Sequence, residues 1–328
     1  MKQIKLTFLL TVLMSMVGAK SFAHDIEVKN ADGVTIYYNY INDGKELEVT
    51  FRGSSYDSYR NEYEYNVVIP EEVTYMNRTR KVTSIGDRAF RYCTSLYSVT
   101  ISNSVTSIGI AAFYQCERLT SITIGNSVTS IGEHAFYVCS GLKKVIVKDI
   151  AAWCGIKIGM SYSNPLYYAH HLYSDENTEI TNLVIPNSVT SIGSYAFYEC
   201  SGLTSVTIGN SVTSIGKSAF YCENLATVVS LIENPFEIYG ILTTKRVFSQ
   251  NTFKKATLYV PTGKKKAYGA TEGWSDFRNI VEGTPTGVTN ITLDKETTNA
   301  PIYDLNGRRL TEPQKGINII GGKKVVVK

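Results

Sequence analysis

Hydrophobic residues recur along the middle of this chain with a period of 23 residues. Isoleucines repeat at this spacing, phenylalanines repeat five positions later, and cysteines three positions after those. Five units are plain, and their core positions are Ile85, Ile108, Ile131, Ile192 and Ile215; Phe90, Phe113, Phe136, Phe197 and Phe220; and Cys93, Cys116, Cys139 and Cys200. A fixed period of this length is typical of a protein whose similar units stack into a solenoid.

Each unit contains two extended segments and one compact segment. Residues 119–124 carry apolar side chains at positions one, four and six, which fits a strand that alternates between core and solvent. Residues 128–132 predict a second short strand that ends at a turn glycine. Ala135, Phe136 and Cys139 are spaced as in one helical turn. The predicted fold is therefore a β-rich solenoid (α+β per repeat), a right-handed leucine-rich-repeat coil of 23-residue rungs.

No unit can fold alone, so the ends of the stack need caps. Burying about five apolar side chains contributes on the order of 8–15 kcal/mol, whereas ordering roughly 23 residues costs about 1–2 kcal/mol each. Alternating segments at 33–38 and 47–51, joined through a turn at 42–44, predict an N-terminal β-hairpin cap. Tyr268, Trp274 and Phe277 follow the last unit and predict a cover for the other end.

The repeat is interrupted once. The step from Ile131 to Ile192 is 61 residues, which is two periods plus 15, so residues 149–180 are predicted to hold a degenerate rung with an insertion. The predicted organisation is a signal peptide at 1–23, an N-terminal β cap at 24–78, the solenoid at 79–282, and a linker with a small C-terminal β tail at 283–328.

The N-terminus has the features of a secretory signal. Lys2 and Lys5 precede an apolar run at 6–17 that is too short to span a bilayer, and a small-x-small cleavage site ends at Ala23. No later segment is long and apolar enough for a transmembrane helix. The formal net charge of +4 and the scattered basic residues argue against a nucleic-acid partner. We expect an exported protein at the cell surface or outside the cell, with the periplasm as an alternative.

Candidate chemistry is sparse. Five of the six cysteines share one repeat position and predict an inward column of thiols, although rungs about 4.8 Å apart also permit disulfides. The adjacent His170 and His171 are expected to point to opposite faces of an extended segment, which gives no zinc site. No nucleophile elbow, phosphate loop or pair of outward acids is present. We therefore predict no enzyme activity, no metal and no cofactor.

The outward strand positions predict a flat, neutral face rich in hydroxyl groups. They are Ser98, Thr100, Ser121, Thr123, Lys144, Ile146, Asn182, Val184, Ser205 and Thr207.

Tyrosines are the candidate binding residues. One follows the core phenylalanine in four units, and Arg91 takes this place in the first unit. The column consists of Tyr114, Tyr137, Tyr198 and Tyr221. Tyrosine offers a large, rigid contact area with a polar end, so an exposed column suits recognition; packing along the edge of the solenoid is the alternative. The insertion adds Trp153, Tyr162, Tyr167 and Tyr168 as candidate platforms for a glycan.

The unit V-T-S-I-G-x-x-A-F-x-x-C-x-x-L-x-x-V-x-I, over about residues 79–261, resembles the BspA-like leucine-rich repeat of surface and secreted proteins of Bacteroidetes and other microbes. The resemblance implies a curved solenoid for adhesion or for recognition of proteins and matrix, with no catalytic residues. The tail at 301–328 is similar to the C-terminal β-sandwich signals of type IX secretion cargo, but it is short and has Asn318 where such tails often carry Tyr.

The predicted function is that of a noncatalytic binding or adhesion protein that recognises extracellular or surface proteins of host or microbial origin. A glycan-binding accessory protein that uses the aromatic residues of the insertion is the alternative.

Overall fold

The computed structural model describes residues 24–57, 60–285, 302–304, 309–310, 316–320 and 323–327. The predicted signal peptide and most of the predicted linker lie outside the described residues.

Short strands dominate the secondary structure. In chain order they are β1 (Ile26–Lys29), β2 (Thr35–Ile41), β3 (Glu46–Thr50), β4 (Tyr65–Val68), β5 (Glu72–Tyr75), β6 (Arg78–Ile85), β7 (Leu96–Thr100), β8 (Ser107–Ile108), β9 (Ser121–Ile124), β10 (Ser130–Ile131), β11 (Lys144–Val147), β12 (Lys157–Ile158), β13 (Leu172–Tyr173), β14 (Asn182–Val184), β15 (Ser191–Ile192), β16 (Ser205–Ile208), β17 (Ser214–Ile215), β18 (Thr227–Ser230), β19 (Thr257–Val260), β20 (Asn279–Glu282), β21 (Ile302–Tyr303), β22 (Arg309–Leu310), β23 (Gly316–Ile320) and β24 (Lys323–Val327).

The α-helices are short. They are α1 (Ile150–Cys154), α2 (Leu166–Ala169), α3 (Gln250–Lys255) and α4 (Lys265–Ala270), and there are 3₁₀ turns at Ser161–Ser163 and Trp274–Asp276. Among the described residues, no helix has the length and apolar character needed to cross a membrane.

The strands of successive rungs pair in parallel and form two faces of a solenoid. On one face, β6, β8, β10 and β12 continue a sheet that begins with three antiparallel strands, β1, β2 and β3, of which β2 and β3 form the N-terminal hairpin. On the other face, β4, β7, β9, β11 and β13 form one sheet and β14, β16, β18, β19 and β20 form the next. The predicted β-rich repeat solenoid with an N-terminal hairpin is confirmed. The strands β21–β24 form a separate antiparallel sheet near the C-terminus.

The recurring phenylalanines stack through the core. Phe90, Phe113 and Phe136 are fully buried, with successive ring centroids 4.8 and 5.0 Å apart. Phe197 and Phe220 are stacked in the same way at 5.3 Å. Because strands of the regular rungs pair residues that are one period apart, equivalent side chains lie directly above one another. The large rings therefore form one stack in each half of the solenoid, and both stacks belong to a single apolar spine of buried residues.

Both ends of the spine are covered by aromatic residues. Tyr63 packs on Phe90 at 4.4 Å, and its hydroxyl donates to the carbonyl of Thr50 at 2.7 Å. At the other end, Phe277 packs edge-on against Phe248 at 5.2 Å. The buried residues from the N-terminal hairpin to this end form one hydrophobic cluster.

The segment that follows the second strand of each rung forms a series of turns instead of the predicted helical turn. In four of the five regular rungs two residues there have left-handed backbone angles, with φ between 53° and 64°. In this geometry every second N–H group points along the solenoid axis. The N–H groups of Ala111, Phe113 and Gln115 donate to carbonyls of the next rung at 2.7–2.9 Å. Bonds between rungs thus replace the bonds that would close a helix.

The left-handed positions carry a backbone cost that depends on the residue. Val138 has φ 60°, a region that β-branched residues rarely occupy. Since asparagine tolerates this region, Val138→Asn is expected to raise the free energy of unfolding by about 1 kcal/mol. Chemical denaturation measures the change, and Ser140→Asn, two residues along the same turn segment and exposed, is the control. A destabilised Val138→Asn protein would show that side-chain packing outweighs the backbone strain.

Candidate functional site

The insertion joins the two halves of the solenoid with side-chain hydrogen bonds. The N–H groups of His134 and Val138, which in other rungs would meet backbone carbonyls, donate to the hydroxyls of Ser163 and Tyr168, each at 2.8 Å. On the opposite side, the indole N–H of Trp153 donates to the carbonyl of Ala196 at 2.8 Å. In the irregular rung, side chains therefore make the hydrogen bonds to neighbouring rungs that the backbone makes in the regular rungs.

Asn164 reinforces this junction. Its side chain is buried, and its amide donates to the carbonyls of Tyr195 and Ala196 at 2.6 and 3.2 Å. Its carbonyl oxygen accepts from the N–H of Leu166 at 2.9 Å, which fixes the amide at the start of α2. Nothing in the sequence pattern pointed to Asn164, because the residue occurs in no repeated motif.

Trp153 does not lie on the surface. Only 1% of the residue is exposed, and its ring belongs to the hydrophobic core. The prediction that Trp153 is a stacking platform for a glycan is therefore wrong. Its position at α1, beneath the following rung, makes it part of the junction.

The predicted tyrosines of the column and the insertion form two stacks along one edge. Tyr114, Tyr137 and Tyr162 follow one another with centroids 5.6 and 5.3 Å apart. A second stack contains Tyr167, Tyr198 and Tyr221, and we call the two stacks together the tyrosine edge.

In the second stack, Tyr167 lies parallel to Tyr198 at 6.0 Å, and Tyr198 lies 5.3 Å from Tyr221. Tyr168 contacts Tyr167 at 4.8 Å, but its hydroxyl is committed to the junction. The insertion therefore extends the column instead of forming a separate platform.

The rings of the tyrosine edge pack on each other and still reach solvent. Tyr137 is 37% exposed, and Tyr114, Tyr162, Tyr167, Tyr198 and Tyr221 are half-buried. Burial raises the pKa of Tyr198 to about 12, so its hydroxyl stays protonated. The edge can offer aromatic area and neutral hydrogen-bonding groups to a partner.

The face formed by β7, β9 and β11 is concave rather than flat. A cavity of about 420 Å³ lies over it, with Tyr97 and Tyr173 among the aromatic residues of its lining. Ile146 pairs with Tyr173 across the sheet and lies outside the hydrophobic core cluster, as its predicted outward position requires, but it is only 1% exposed and is therefore not available on the face. Thr123 and Thr207 are also buried, at 9% and 7% exposure. Lys144 approaches the ring of Tyr173 at 4.8 Å.

The histidine pair has two separate structural roles. His170 ends α2 with φ 59° instead of lying in an extended segment, and its Nδ1 is 2.9 Å from the carbonyl of Glu199. His171 Nδ1 lies 2.6 Å from a carboxylate oxygen of Glu179. In the part of the chain that the structure describes, no group of three or more potential ligands could hold a metal ion.

The six cysteines are buried, free thiols. The thiols of Cys116 and Cys139 donate to the carbonyls of Phe90 and Phe113, at 3.0 and 3.1 Å. Burial raises the pKa of Cys93 and of Cys200 to about 12 in each case. A thiol with so high a pKa contains little thiolate and reacts slowly near neutral pH.

We expect a thiol reagent at pH 8 to leave the folded protein unlabelled and to label all six cysteines after denaturation without reductant. For Cys93 and Cys200 the unfolded chain ionises first, near the usual thiol pKa of 9.0, so the burial of these two thiols stabilises the fold fully below pH 9 and less as the pH rises toward 12. Mass spectrometry counts the labels, and fewer than six on the denatured protein would reveal a disulfide.

Comparisons with known proteins agree with this architecture. Residues 66–152 and 172–257, more than half of the chain, match a model described as the BspA type leucine rich repeat region, in six copies. The resemblance predicted from the repeat unit is confirmed. No curated protein sequence matches the chain.

Three solved structures of bacterial leucine-rich repeat proteins are among those similar to this chain. A leucine-rich cell surface protein from Faecalibacterium prausnitzii is 21% identical, with 78% of this chain and 76% of that chain covered and a TM-score of 0.41. The leucine-rich repeat protein of T. pallidum is 21% identical over 71% of this chain and 86% of that chain, with a TM-score of 0.36. One from Bacteroides ovatus is 19% identical over 76% and 75%, with a TM-score of 0.36.

Proposed function

Because the chain belongs to the BspA-type leucine-rich repeat family, we propose that it is a noncatalytic binding protein that attaches to extracellular or surface proteins through its tyrosine edge. The supporting observation is the continuation of the tyrosine column into the insertion, where Tyr137 meets Tyr162 and Tyr167 meets Tyr198. Aromatic side chains dominate the binding energy of many protein interfaces.

The physical properties of the edge suit a protein partner. Stacked rings lose little conformational freedom on binding, because their neighbours already hold them. Their hydroxyls can bond to backbone or side-chain groups at the rim of an interface. A row of six half-buried or exposed rings across the solenoid offers an extended strip rather than a single pocket.

The test is binding to a panel of purified matrix glycoproteins and microbial surface proteins, measured by biolayer interferometry up to micromolar concentration. The variant Tyr137→Ser, Tyr198→Ser, Tyr221→Ser is expected to weaken binding at least tenfold, since each central aromatic side chain contributes about 1–2 kcal/mol or more. The matched control replaces Tyr65 and Tyr239, which are exposed outside the tyrosine edge. No partner in the panel, or unchanged binding by the variant, contradicts the proposal.

Glycan binding is a second candidate, and the concave strand face favours it. Sugar rings stack on aromatic side chains and bond to hydroxyls, and Tyr97, Tyr173 and the hydroxyls of Ser121 and Thr123 line the same cavity. In this second proposal the glycan binds to the strand face, and Tyr173 is the residue that the insertion supplies. A glycan array with Tyr97→Ala and Tyr173→Ala separates the two candidates, because these changes leave the tyrosine edge intact.

We also propose that the protein is exported, with a mature chain that begins near His24. The support is the charged and apolar pattern of residues 1–23, which lie outside the described residues. Protease treatment of intact cells distinguishes a surface location, which the similarity of the tail to type IX signals favours, from the periplasm. N-terminal sequencing of the recovered protein checks the cleavage site.

A further inference from the structure

Arginine and tyrosine side chains alternate in a row at the N-terminal end of the tyrosine edge. The guanidinium carbons of Arg88 and Arg91 lie 4.7 and 4.5 Å from the ring centroid of Tyr56. Those of Arg91 and Arg60 lie 4.5 and 5.2 Å from that of Tyr92. We call these five residues the arginine–tyrosine row.

The positive charge of the row is poorly compensated. Among the described residues, the one carboxylate that pairs with it is that of Asp57, 3.6 Å from Arg91. The side chains of Arg60 and Arg88 have no ion pair or hydrogen bond within the described part of the chain, and Nε of Arg91 is buried without a hydrogen-bond partner. Three guanidinium groups thus face one carboxylate.

The rings explain how such a cluster is tolerated. A guanidinium group on an aromatic face is attracted by the ring quadrupole. In Arg60 and Arg88 its N–H groups remain available at its edge, whereas those of Arg91 are partly engaged by Asp57. In addition, Arg91 donates to the hydroxyl of Tyr92 at 2.9 Å, which holds the centre of the row in place. The cations are therefore positioned before any anion binds, so little conformational freedom remains to be lost.

We propose that the arginine–tyrosine row binds the sulfate esters of a sulfated polysaccharide. Arginine matches tetrahedral oxyanions with paired N–H donors. Because the three guanidinium groups are spread along a row instead of converging on one point, they suit a polymer with repeated anionic groups better than a single anion. Tyr92 also contacts Tyr114 at 5.9 Å, so the row leads directly into the tyrosine edge and could bind next to a partner held there.

The direct test uses a heparin-derived octasaccharide as probe, with calorimetry or fluorescence anisotropy at several salt concentrations. The wild-type protein is expected to bind it in a salt-dependent manner and to lose this binding with a chemically desulfated octasaccharide that keeps its carboxylates. The variant Arg60→Gln, Arg88→Asn, Arg91→Gln is expected to lose about tenfold in affinity per arginine and to show a flatter salt dependence. Asparagine is chosen at 88 because that residue has φ 60°.

Two further variants separate the contribution of the row from that of overall charge. Lys255→Gln, Lys265→Gln, Lys266→Gln removes the same number of positive charges from exposed positions elsewhere and should bind as wild type does. The Arg→Lys triple variant keeps the charge but loses the paired donors, so intermediate affinity is expected. Circular dichroism checks that each variant is folded. If the triple variant does not fold, the single change Arg60→Gln tests the row instead, because Arg60 is exposed.

Several outcomes overturn the inference. Equal binding of the sulfated and desulfated probes removes sulfate as the recognised group. Equal loss with the lysine control shows a general charge effect. Tighter binding of a sulfotyrosine peptide or of a DNA oligonucleotide of matched charge assigns the row to another class of macromolecule.

Discussion

Replacing Phe113 with alanine is expected to lower the free energy of unfolding by about 4 kcal/mol. The ring is fully buried between those of Phe90 and Phe136, at 4.8 and 5.0 Å, so its removal leaves a cavity with two unsupported neighbours. Because each rung of a solenoid is stabilised mainly by the adjacent rungs, the loss weakens two interfaces at once. Chemical denaturation followed by circular dichroism measures the effect.

Two matched variants calibrate this result. Phe113→Leu keeps most of the apolar volume and should cost about 1–1.5 kcal/mol. Tyr137→Ala removes a ring that is 37% exposed and should cost clearly less than Phe113→Ala. A loss below about 1 kcal/mol for Phe113→Ala would contradict the stacked core, since buried Phe→Ala changes normally cost several times that amount.

Trp153→Ala is expected to uncouple the two halves of the solenoid. The change removes a buried ring and the bond to the carbonyl of Ala196, which together should cost about 3–5 kcal/mol. Since the sheets themselves break between β13 and β14, side-chain contacts of the insertion carry much of the connection there. Unfolding should then separate into two steps.

Hydrogen exchange at increasing denaturant concentration can follow each half separately. The wild-type halves should lose protection together, whereas in Trp153→Ala one half should open at lower denaturant. Trp153→Phe isolates the indole N–H bond, whose loss should cost about 1–3 kcal/mol without separating the steps. Tyr162→Ala, a half-buried ring of the insertion that packs on His134 and Tyr137 of the first half, is the control. A single transition in Trp153→Ala would contradict the prediction and mean that the remaining contacts, including those of Asn164, are enough to join the halves.

The regular rungs were predictable because each one repeats the same arrangement of core residues. A phenylalanine found at one position in five units, such as Phe113, has to occupy an equivalent place in each, and the interior is the place where so many rings can be buried. The cysteine column and the hairpin turn at Asn42 and Asp43 follow from similar local rules. Pattern and propensity agree throughout this region.

The predictions that were wrong depend on geometry that one-dimensional spacing does not contain. Ala135, Phe136 and Cys139 have helical spacing, yet left-handed residues at His134 and Val138 turn the segment toward the next rung. Ile146 alternates as an outward residue does, but it is buried beside Tyr173, with which it pairs across the sheet. In both cases the neighbouring rung supplies the contact that decides the outcome.

The repeated pattern was enough to specify the stacked units, the buried face of each strand and the phenylalanine stacks, because units with the same sequence bury equivalent side chains in the same way when they stack. The roles of the residues outside the repeat became clear from the three-dimensional arrangement alone. It placed Trp153 inside and Tyr162 on the edge, and it gathered Tyr56, Arg60 and Arg91 from separate segments. The physical reason is that such residues are positioned by long-range packing and hydrogen bonds, which leave no periodic trace along the chain.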